Sequence, residues 1–273
     1  MRIVIKIGTS TLTHASGNLN IHRVEQLCKI ISDITNAGHQ VILVSSGAIG
    51  MGVGKLGLKE RPKDIPGKQA AAAVGQCELM YFYDKLFSEY NHTVAQILIT
   101  DADFKDEKRY NNFTNTVTRL IEMGCIPVLN ENDTVSTEEI ALGDNDTLAG
   151  IAAVAVGAHL LVLLTDVDGL YNADPNKNKK AKLISVVDKI DSHIEELASG
   201  ATTRLGTGGM TTKINAAKIV TDYGCDMIIA NGSFPTYLYD IVNGKSVGTR
   251  FIGKMRESEK GVFGAHSIKR KQD

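Results

Sequence analysis

The chain has 273 residues, of which 43% are hydrophobic and 22% charged, proportions typical of a soluble globular protein with a sizeable core. Its 30 Lys and Arg residues against 31 Asp and Glu residues give a formal net charge of -1, which argues against nucleic acid as the main partner. The sequence contains no stretch of about 20 apolar residues, so we expect no membrane span and a cytoplasmic location.

Four strands and three helices are predicted to alternate over the first half of the chain. The predicted strands are, in order, RIVIKIG, QVILVSSG, VAQILIT and IPVLNEND. The predicted helices lie at residues 24–38, 68–90 and 111–124. The second strand runs into a glycine turn, SSGAIG, which overlaps its end.

The second half continues the same alternation. A small-residue helix, TLAGIAAVAVGA, precedes the strand LLVLLTDVDG, and a polar loop at residues 172–182 and a short helix come next. The run GTGGMTTK then opens a helix that ends at Gly224, before the strand DMIIANG. Near-continuous apolar strands separated by helices predict a mostly parallel sheet that is covered on both faces.

Most polar clusters of the chain follow directly after predicted strands. They are Gly8-Thr9-Ser10, Ser45-Ser46-Gly47, Asn130-Glu131-Asn132-Asp133 and Thr165-Asp166. Because α/β sheets bind ligands at the carboxyl ends of their parallel strands, these clusters predict one shared site.

Two lysines stand where contact with an anion would explain them. Lys6 lies in the middle of an apolar strand, where a buried ammonium group is costly unless an anion meets it. A strand edge, from which Lys6 reaches water, is the alternative. Lys213 ends the glycine run of residues 206–213, whose composition suits phosphate binding although it does not match the Walker A pattern.

The segment GDNDTLAG places Asp144, Asn145 and Asp146 just before a helix. Helix capping would account for one of these side chains. It leaves the other two, and nearby Asp133, available to hold an amino group or to orient lysines. Thr165-Asp166 could similarly serve only a turn, although the long patterned run around it favours more than that.

Three matches to known motifs fail on context. GVGKLG at residues 52–57 fits G-x-G-x-x-G, but a dinucleotide-binding fold needs that motif between a strand and a helix. TDVDG lacks the further ligands of an EF-hand loop, and SSGAIG has Val44 where a nucleophile elbow has glycine. The four Cys residues form no C-x-x-C pair, so we expect buried thiols in a reducing compartment.

Seven motifs together resemble the glutamate 5-kinase branch of the amino acid kinase family. They are KIGTST, VSSGAIG, KQAAAAVGQ, NENDTV, GDNDTLA, LLTDVDGLYNADP and GTGGMTTK. The resemblance implies an α/β fold, a three-layer αβα sandwich with an open, mostly parallel central sheet. It implies one kinase domain at residues 1–253, with a glutamate-binding part at about 1–150 and an ATP-binding part at about 151–253. The polar tail at residues 254–273 is assigned no structure, and the second C-terminal (PUA) domain of many members is expected to be absent.

The resemblance also implies the reaction. ATP would phosphorylate the γ-carboxylate of L-glutamate, the first step towards proline, with Mg²⁺ entering with the nucleotide and with no dedicated metal site in the protein. Proline is the expected feedback inhibitor, and a homo-oligomer (dimer or tetramer) is the expected assembly.

Carried over by position, the resemblance assigns a role to each motif. Glutamate would be bound by Ser46, Asp133 and Asn145. Catalysis would fall to Lys6 and Lys213, which touch the transferring phosphoryl group, and to Asp146, which orients them. The implied ATP contacts are Lys6, Thr165, Asp166, Thr207, Gly208, Gly209, Met210, Thr211, Thr212 and Lys213.

Three alternatives remain open. A non-catalytic metabolite sensor on the same fold would most easily arise by loss of Lys6, Lys213 or Asp146, all of which are present. A nicotinamide-dependent dehydrogenase is supported by GVGKLG alone. A sister kinase that acts on another small acid is the nearest alternative.

Overall fold

The computed structural model describes residues 1–14, 18–135, 145–175, 177–199 and 209–254. The strands in this part of the chain are β1 (Arg2–Ile7), β2 (Gln40–Ser45), β3 (Val94–Ile99), β4 (Ile126–Glu131), β5 (Leu160–Thr165), β6 (Val186–Val187), β7 (Asp226–Asn231) and β8 (Thr249–Phe251). The helices are α1 (Thr9–Leu12), α2 (Ile21–Asn36), α3 (Ala48–Lys55), α4 (Ile65–Ser88), α5 (Asp101–Lys105), α6 (Glu107–Glu122), α7 (Asn145–Ala155), α8 (Ser192–Ser199), α9 (Met210–Asp222) and α10 (Tyr237–Val242).

The strands form a single eight-stranded sheet in the order β3-β4-β2-β1-β5-β7-β8-β6. All neighbouring strands are parallel except β7 and β8, which run antiparallel. The prediction of an open, mostly parallel sheet is therefore confirmed. All six long strands were predicted from the sequence, whereas the short strands β6 and β8 were not.

Helices cover both faces of the sheet, which makes three layers. One buried cluster joins the sheet to α6, α7, α8 and α9, and the other joins it to α2, α4 and α10. Side chains of a strand alternate between the faces, so in β1 Val4 belongs to the first cluster and Ile3, Ile5 and Ile7 belong to the second. By the same alternation Lys6 lies on the face of α7 and α9.

The helix α3 corrects the interpretation of SSGAIG as a turn only. Gly47 does turn the chain, with φ of 96°, but a helix begins at the next residue. Glycine-rich helices are intrinsically weak, and α3 is stabilised instead by close packing on α4. A Cβ at Gly52 would lie 1.8 Å from the carbonyl oxygen of Ala71, and one at Gly75 would lie 1.7 Å from that of Ala48.

This packing also explains the motif GVGKLG. Its first four residues form the C-terminal end of α3, so the motif does not join a strand to a helix. Gly52, its first glycine, is needed where two helices touch backbone to backbone. The structure therefore provides no dinucleotide-binding turn at residues 52–57.

Smaller differences concern helix starts and cysteines. The helix α4 begins three residues earlier than predicted, because Asp64 caps it by accepting a hydrogen bond from the Gly67 N–H at 2.8 Å. Cys28 and Cys225 are buried as expected. Cys77 is exposed and Cys125 is half-buried, so the prediction of buried thiols is wrong for these two. Within the described residues, no helix combines the length and apolar character needed to cross a membrane.

Candidate functional site

The carboxyl ends of β2, β1, β5 and β7 lie side by side in the sheet. The polar clusters predicted to share one site follow β2, β1 and β5, and also β4, the next strand beyond β2. Asp144, Thr207 and Gly208 lie outside the described residues. Five of the other predicted site residues fall into two groups, which meet at the start of α7.

The first group, here called the charged triad, consists of Lys6, Asp146 and Lys213. Lys6 Nζ lies 2.7 Å from Asp146 Oδ1, and Lys213 Nζ lies 3.1 Å from Asp146 Oδ2. The three residues are 8%, 1% and 5% exposed, respectively. The alternative that Lys6 reaches water from a strand edge is wrong. Strand β1 lies between β2 and β5, and the ammonium group of Lys6 contacts the buried carboxylate of Asp146.

Close packing of α7 on α9 brings Asp146 to Lys213. A Cβ at Gly150 would lie 3.4 Å from the Cα atom of Ala216, so the two helices approach closely at this point. Asp146 lies one turn before Gly150, and Lys213 lies almost one turn before Ala216. Both helices therefore begin at the same end of the site, where their N-termini favour negative charge.

The charge balance of the triad favours an anionic ligand. Burial alone would raise the pKa of Asp146, but the ammonium groups of Lys6 and Lys213 outweigh this effect and hold the pKa below its usual value. One carboxylate against two ammonium groups leaves a net charge of about +1 in a buried place. Two buried ammonium groups close to one carboxylate therefore suit the binding of an anion.

Thr212 supports the triad from within α9. Its hydroxyl lies 3.0 Å from Asp146 Oδ2 and 2.8 Å from the carbonyl oxygen of Gly209, the N-cap residue of α9. A Cβ at Gly209 would meet no atom of the described residues within 4 Å, so none of them blocks a ligand from this backbone position. Met210 is buried in the core and Thr211 is exposed.

Thr165 and Asp166 follow β5 as predicted. The Thr165 hydroxyl donates to Asp166 Oδ1 at 3.0 Å, and its carbonyl oxygen accepts from the Gly232 N–H at 2.7 Å, which joins the ends of β5 and β7. Thr165 is buried, whereas Asp166 is exposed at the edge of the sheet. Asp166 is thus accessible to a ligand.

The second group, here called the amide network, consists of Ser45, Ser46, Gln76, Asn130 and Asn145. Asn145 Nδ2 lies 2.9 Å from the Ser45 carbonyl oxygen, 2.8 Å from Ser46 Oγ and 3.1 Å from Asn130 Oδ1. Asn130 Nδ2 in turn donates to Gln76 Oε1 at 2.8 Å. Ser46 and Asn145, both predicted to bind substrate, are therefore in direct contact.

Sequence reasoning missed part of this network. Asn130 was noted only as a member of a polar cluster, and Gln76 was not singled out, although it closes the motif KQAAAAVGQ. Gln76 and Asn130 are 54 positions apart in the sequence. A polar residue on the inner side of a small-residue helix was the signal that could have drawn attention to Gln76.

Asp133 lies in the turn that follows β4 and carries an unusual carboxyl group. Burial, and after it the negative charge of Glu131, raise its pKa to about 6 against the opposing charge of Arg61. An ammonium ligand would relieve this cost, because a nearby positive charge favours an ionised carboxylate.

Asn145 and Asp146 are consecutive residues, so the amide network and the charged triad are joined directly.

Comparison with known proteins agrees with this arrangement. The model of the amino acid kinase family matches residues 1–231. The chain is 51% identical over 260 residues to a glutamate 5-kinase of Clostridium perfringens, covering 94% of this chain and 97% of that one. It is 52% identical over 252 residues to a glutamate 5-kinase of Caldanaerobacter subterraneus, covering 92% of this chain and 68% of that one.

Solved structures show the same fold at low sequence identity. A carbamate kinase from Giardia lamblia superposes with a TM-score of 0.66 at 20% identity, covering 93% of this chain and 98% of that one. An isopentenyl phosphate kinase from T. acidophilum superposes with a TM-score of 0.62 at 19% identity, covering 92% and 100%. The fold, the sequence match and the two relatives agree, and the chain belongs to the amino acid kinase family.

Proposed function

We propose that the protein transfers the γ-phosphoryl group of ATP to the γ-carboxylate of L-glutamate, the first step of proline biosynthesis. The charged triad carries this proposal, because two buried ammonium groups on one carboxylate suit a transferring phosphoryl group. About 50% identity to glutamate 5-kinases over nearly the whole chain supports the choice of substrate.

The chemistry needs little more than position and charge. An oxygen of the substrate carboxylate attacks the γ-phosphorus while the bond to the bridging oxygen of ADP breaks, and the products are an acyl phosphate and ADP. Negative charge spreads over the equatorial oxygens in the transition state. Lys6 from the sheet and Lys213 from α9 would stabilise that charge, and Asp146 would hold the two ammonium groups in place.

No general base is required for this step. A side-chain carboxylate has a reference pKa of about 4.3, so it is already ionised near pH 7. No proton has to leave the nucleophile. This agrees with the position of the Asp146 carboxylate, which contacts Lys6 and Lys213 and is not needed as a base.

Glutamate recognition would fall to the amide network and to Asp133. Asn145 Nδ2 is directed at the Ser45 carbonyl oxygen and Asn130 Oδ1, so the opposite end of the amide, Oδ1, is the acceptor that a ligand would meet. Asp133 offers a second acceptor with negative charge. Both suit the α-ammonium group of an amino acid.

ATP would be held by the start of α9 and the end of β5. The groups available to ATP are the backbone of Gly209, the N-terminus of α9 and the exposed side chain of Asp166. The described residues include no group of three or more His, Cys, Asp or Glu side chains that could hold a metal ion. We expect Mg²⁺ to enter with ATP, held mainly by phosphate oxygens and water.

Further expectations rest on the same assignment. Residues 1–150 would form the glutamate-binding part and residues 151–253 the ATP-binding part, with Lys6 and Asp146 contributing to phosphoryl transfer from the first. Proline carries an α-amino and an α-carboxyl group like glutamate, so it would compete near residues 46–66 and 133–146. A homo-oligomer and a cytoplasmic location complete the proposal.

The test traps the product. Hydroxylamine converts an acyl phosphate to a hydroxamate, which we expect only when glutamate, ATP and Mg²⁺ are all present. Turnover of ATP that glutamate stimulates without hydroxamate would show that the carboxylate is not the acceptor. A panel of small acids run in parallel would reveal a sister kinase, which forms hydroxamate with another acid instead.

A further inference from the structure

The order of donors and acceptors in the amide network can be read from the backbone. The Glu131 N–H can only donate, and it lies 2.9 Å from Asn130 Oδ1. The Ser45 carbonyl oxygen can only accept, and it lies 2.9 Å from Asn145 Nδ2. These two contacts fix which end of each amide is oxygen and which is nitrogen.

The fixed order leaves Asn130 with one requirement. Its Oδ1 faces the Glu131 N–H and Asn145, so its Nδ2 must find an acceptor on the other side. Gln76 Oε1 supplies that acceptor at 2.8 Å. Asn130 is 2% exposed, so water is a poor substitute for Gln76 there.

Gln76 adopts this orientation at a cost. Its Nε2 atom is buried and has no hydrogen-bond partner among the residues that the structure describes. Turning the amide around would place Nε2 against Asn130 Nδ2, two donors facing each other. The contact with Asn130 therefore determines the orientation of Gln76.

We propose that Gln76 is a positioning residue for the substrate, because its side-chain oxygen orients Asn130, and Asn130 holds the amide of Asn145 with its oxygen presented to the ligand. Gln76 touches neither the charged triad nor the substrate in this scheme. The proposal rests on the function proposed above, in which Asn145 binds glutamate. It predicts that Gln76 affects glutamate affinity and leaves ATP affinity unchanged.

The test compares two replacements of similar size, followed by steady-state kinetics with each substrate. Gln76→Met removes the acceptor, and we expect KM for glutamate to rise about tenfold while KM for ATP and kcat stay within about threefold. Gln76→Glu keeps an oxygen that accepts from Asn130, and we expect its KM for glutamate to stay within about threefold of wild type. If Gln76→Met does not fold, Gln76→Leu serves the same comparison.

Two controls separate positioning from packing. Tyr83→Phe removes another buried hydrogen bond of α4, to Ser45 Oγ at 2.9 Å, and should leave KM for glutamate within about twofold. In an Asn145→Ala background, Gln76→Met should have no further effect on KM for glutamate, because Gln76 acts through Asn145.

An equal rise of KM in the Met and Glu variants, wild-type KM in the Met variant, or full additivity with Asn145→Ala would overturn the inference. These outcomes presuppose an active wild type. If wild-type protein phosphorylates another small acid, the function proposed above fails, and the same KM comparison is made with that acid.

Discussion

The two halves of the site hold buried polar groups in different ways. The charged triad uses full charges at 2.7 and 3.1 Å, with an excess of one positive charge. The amide network uses neutral groups, each fixed by a partner whose role as donor or acceptor is set. The first arrangement suits charge that develops during the reaction, and the second suits a ligand whose shape and donors are constant. We therefore expect the triad to determine kcat and the network to determine KM for the amino acid.

The largest expected effect comes from removing a lysine of the triad. Lys213→Ala should lower kcat by about 100-fold or more, since the lost charge acts mainly in the transition state. Lys6→Ala should behave similarly. A matched control is Lys218→Ala on the same helix. The Lys218 ammonium group forms an exposed ion pair with Glu195, so this variant should change kcat little.

Kinetics with varied ATP decide the outcome. Near-normal kcat with a raised KM for ATP would assign Lys213 to ground-state binding and would remove the contrast between the two halves. Circular dichroism should show an unchanged fold, because Asp146 keeps Lys6 as its partner.

A second effect concerns the scaffold of the amide network. Ser46 lies just before α3, and Gln76 lies on α4. The packing of α3 on α4 therefore sets the distance between Ser46 and Gln76. Gly52→Ala would force a Cβ to within 1.8 Å of a backbone oxygen. We expect a loss of about 2 kcal/mol or more in the free energy of unfolding.

Gly50→Ala provides the matched control on α3. Among the described residues its Cβ would meet the Thr9 side chain alone, at 3.8 Å, and alanine favours a helix over glycine by about 1 kcal/mol. Urea unfolding should show opposite signs for the two variants. Equal stability of both would mean that α3 and α4 can separate freely.

This contrast also marks how far the sequence could predict the molecule. The six long strands could be predicted from their apolar runs. Lys6 could be singled out as an anion-binding residue, because a charge inside an apolar strand is visible in a short stretch of sequence. The helix α3 was missed, since its glycines read as a turn and only packing against α4 stabilises it. Asp146 lies 140 positions from Lys6, so family resemblance, and not local pattern, connected them before the structure did.

The smallest expected effect sharpens the comparison within the substrate half, where Asp133 is an ionisable group whose pKa is raised. Because that pKa is about 6 in the folded protein against an ordinary 3.8, the folded state binds more protons between these values. Stability contributed by Asp133 is therefore complete below about pH 4 and lost as pH rises through 6. Asp133→Asn should be the more stable protein at pH 7, by about 1–2 kcal/mol after allowance for its partial exposure, and the difference should disappear near pH 4.

Substrate affinity should depend on pH in the opposite direction from stability, because the ammonium group of glutamate needs the ionised carboxylate of Asp133. Wild-type kcat/KM for glutamate should fall as pH drops below about 6, by about tenfold for each further pH unit. The γ-carboxylate of the substrate remains mostly ionised down to about pH 5, so its own titration contributes little there. In Asp133→Asn, kcat/KM should be low at pH 7 and nearly constant down to pH 5. An unchanged profile in the variant would mean that another group titrates, and the ammonium site would then have to be placed on Asn145 alone.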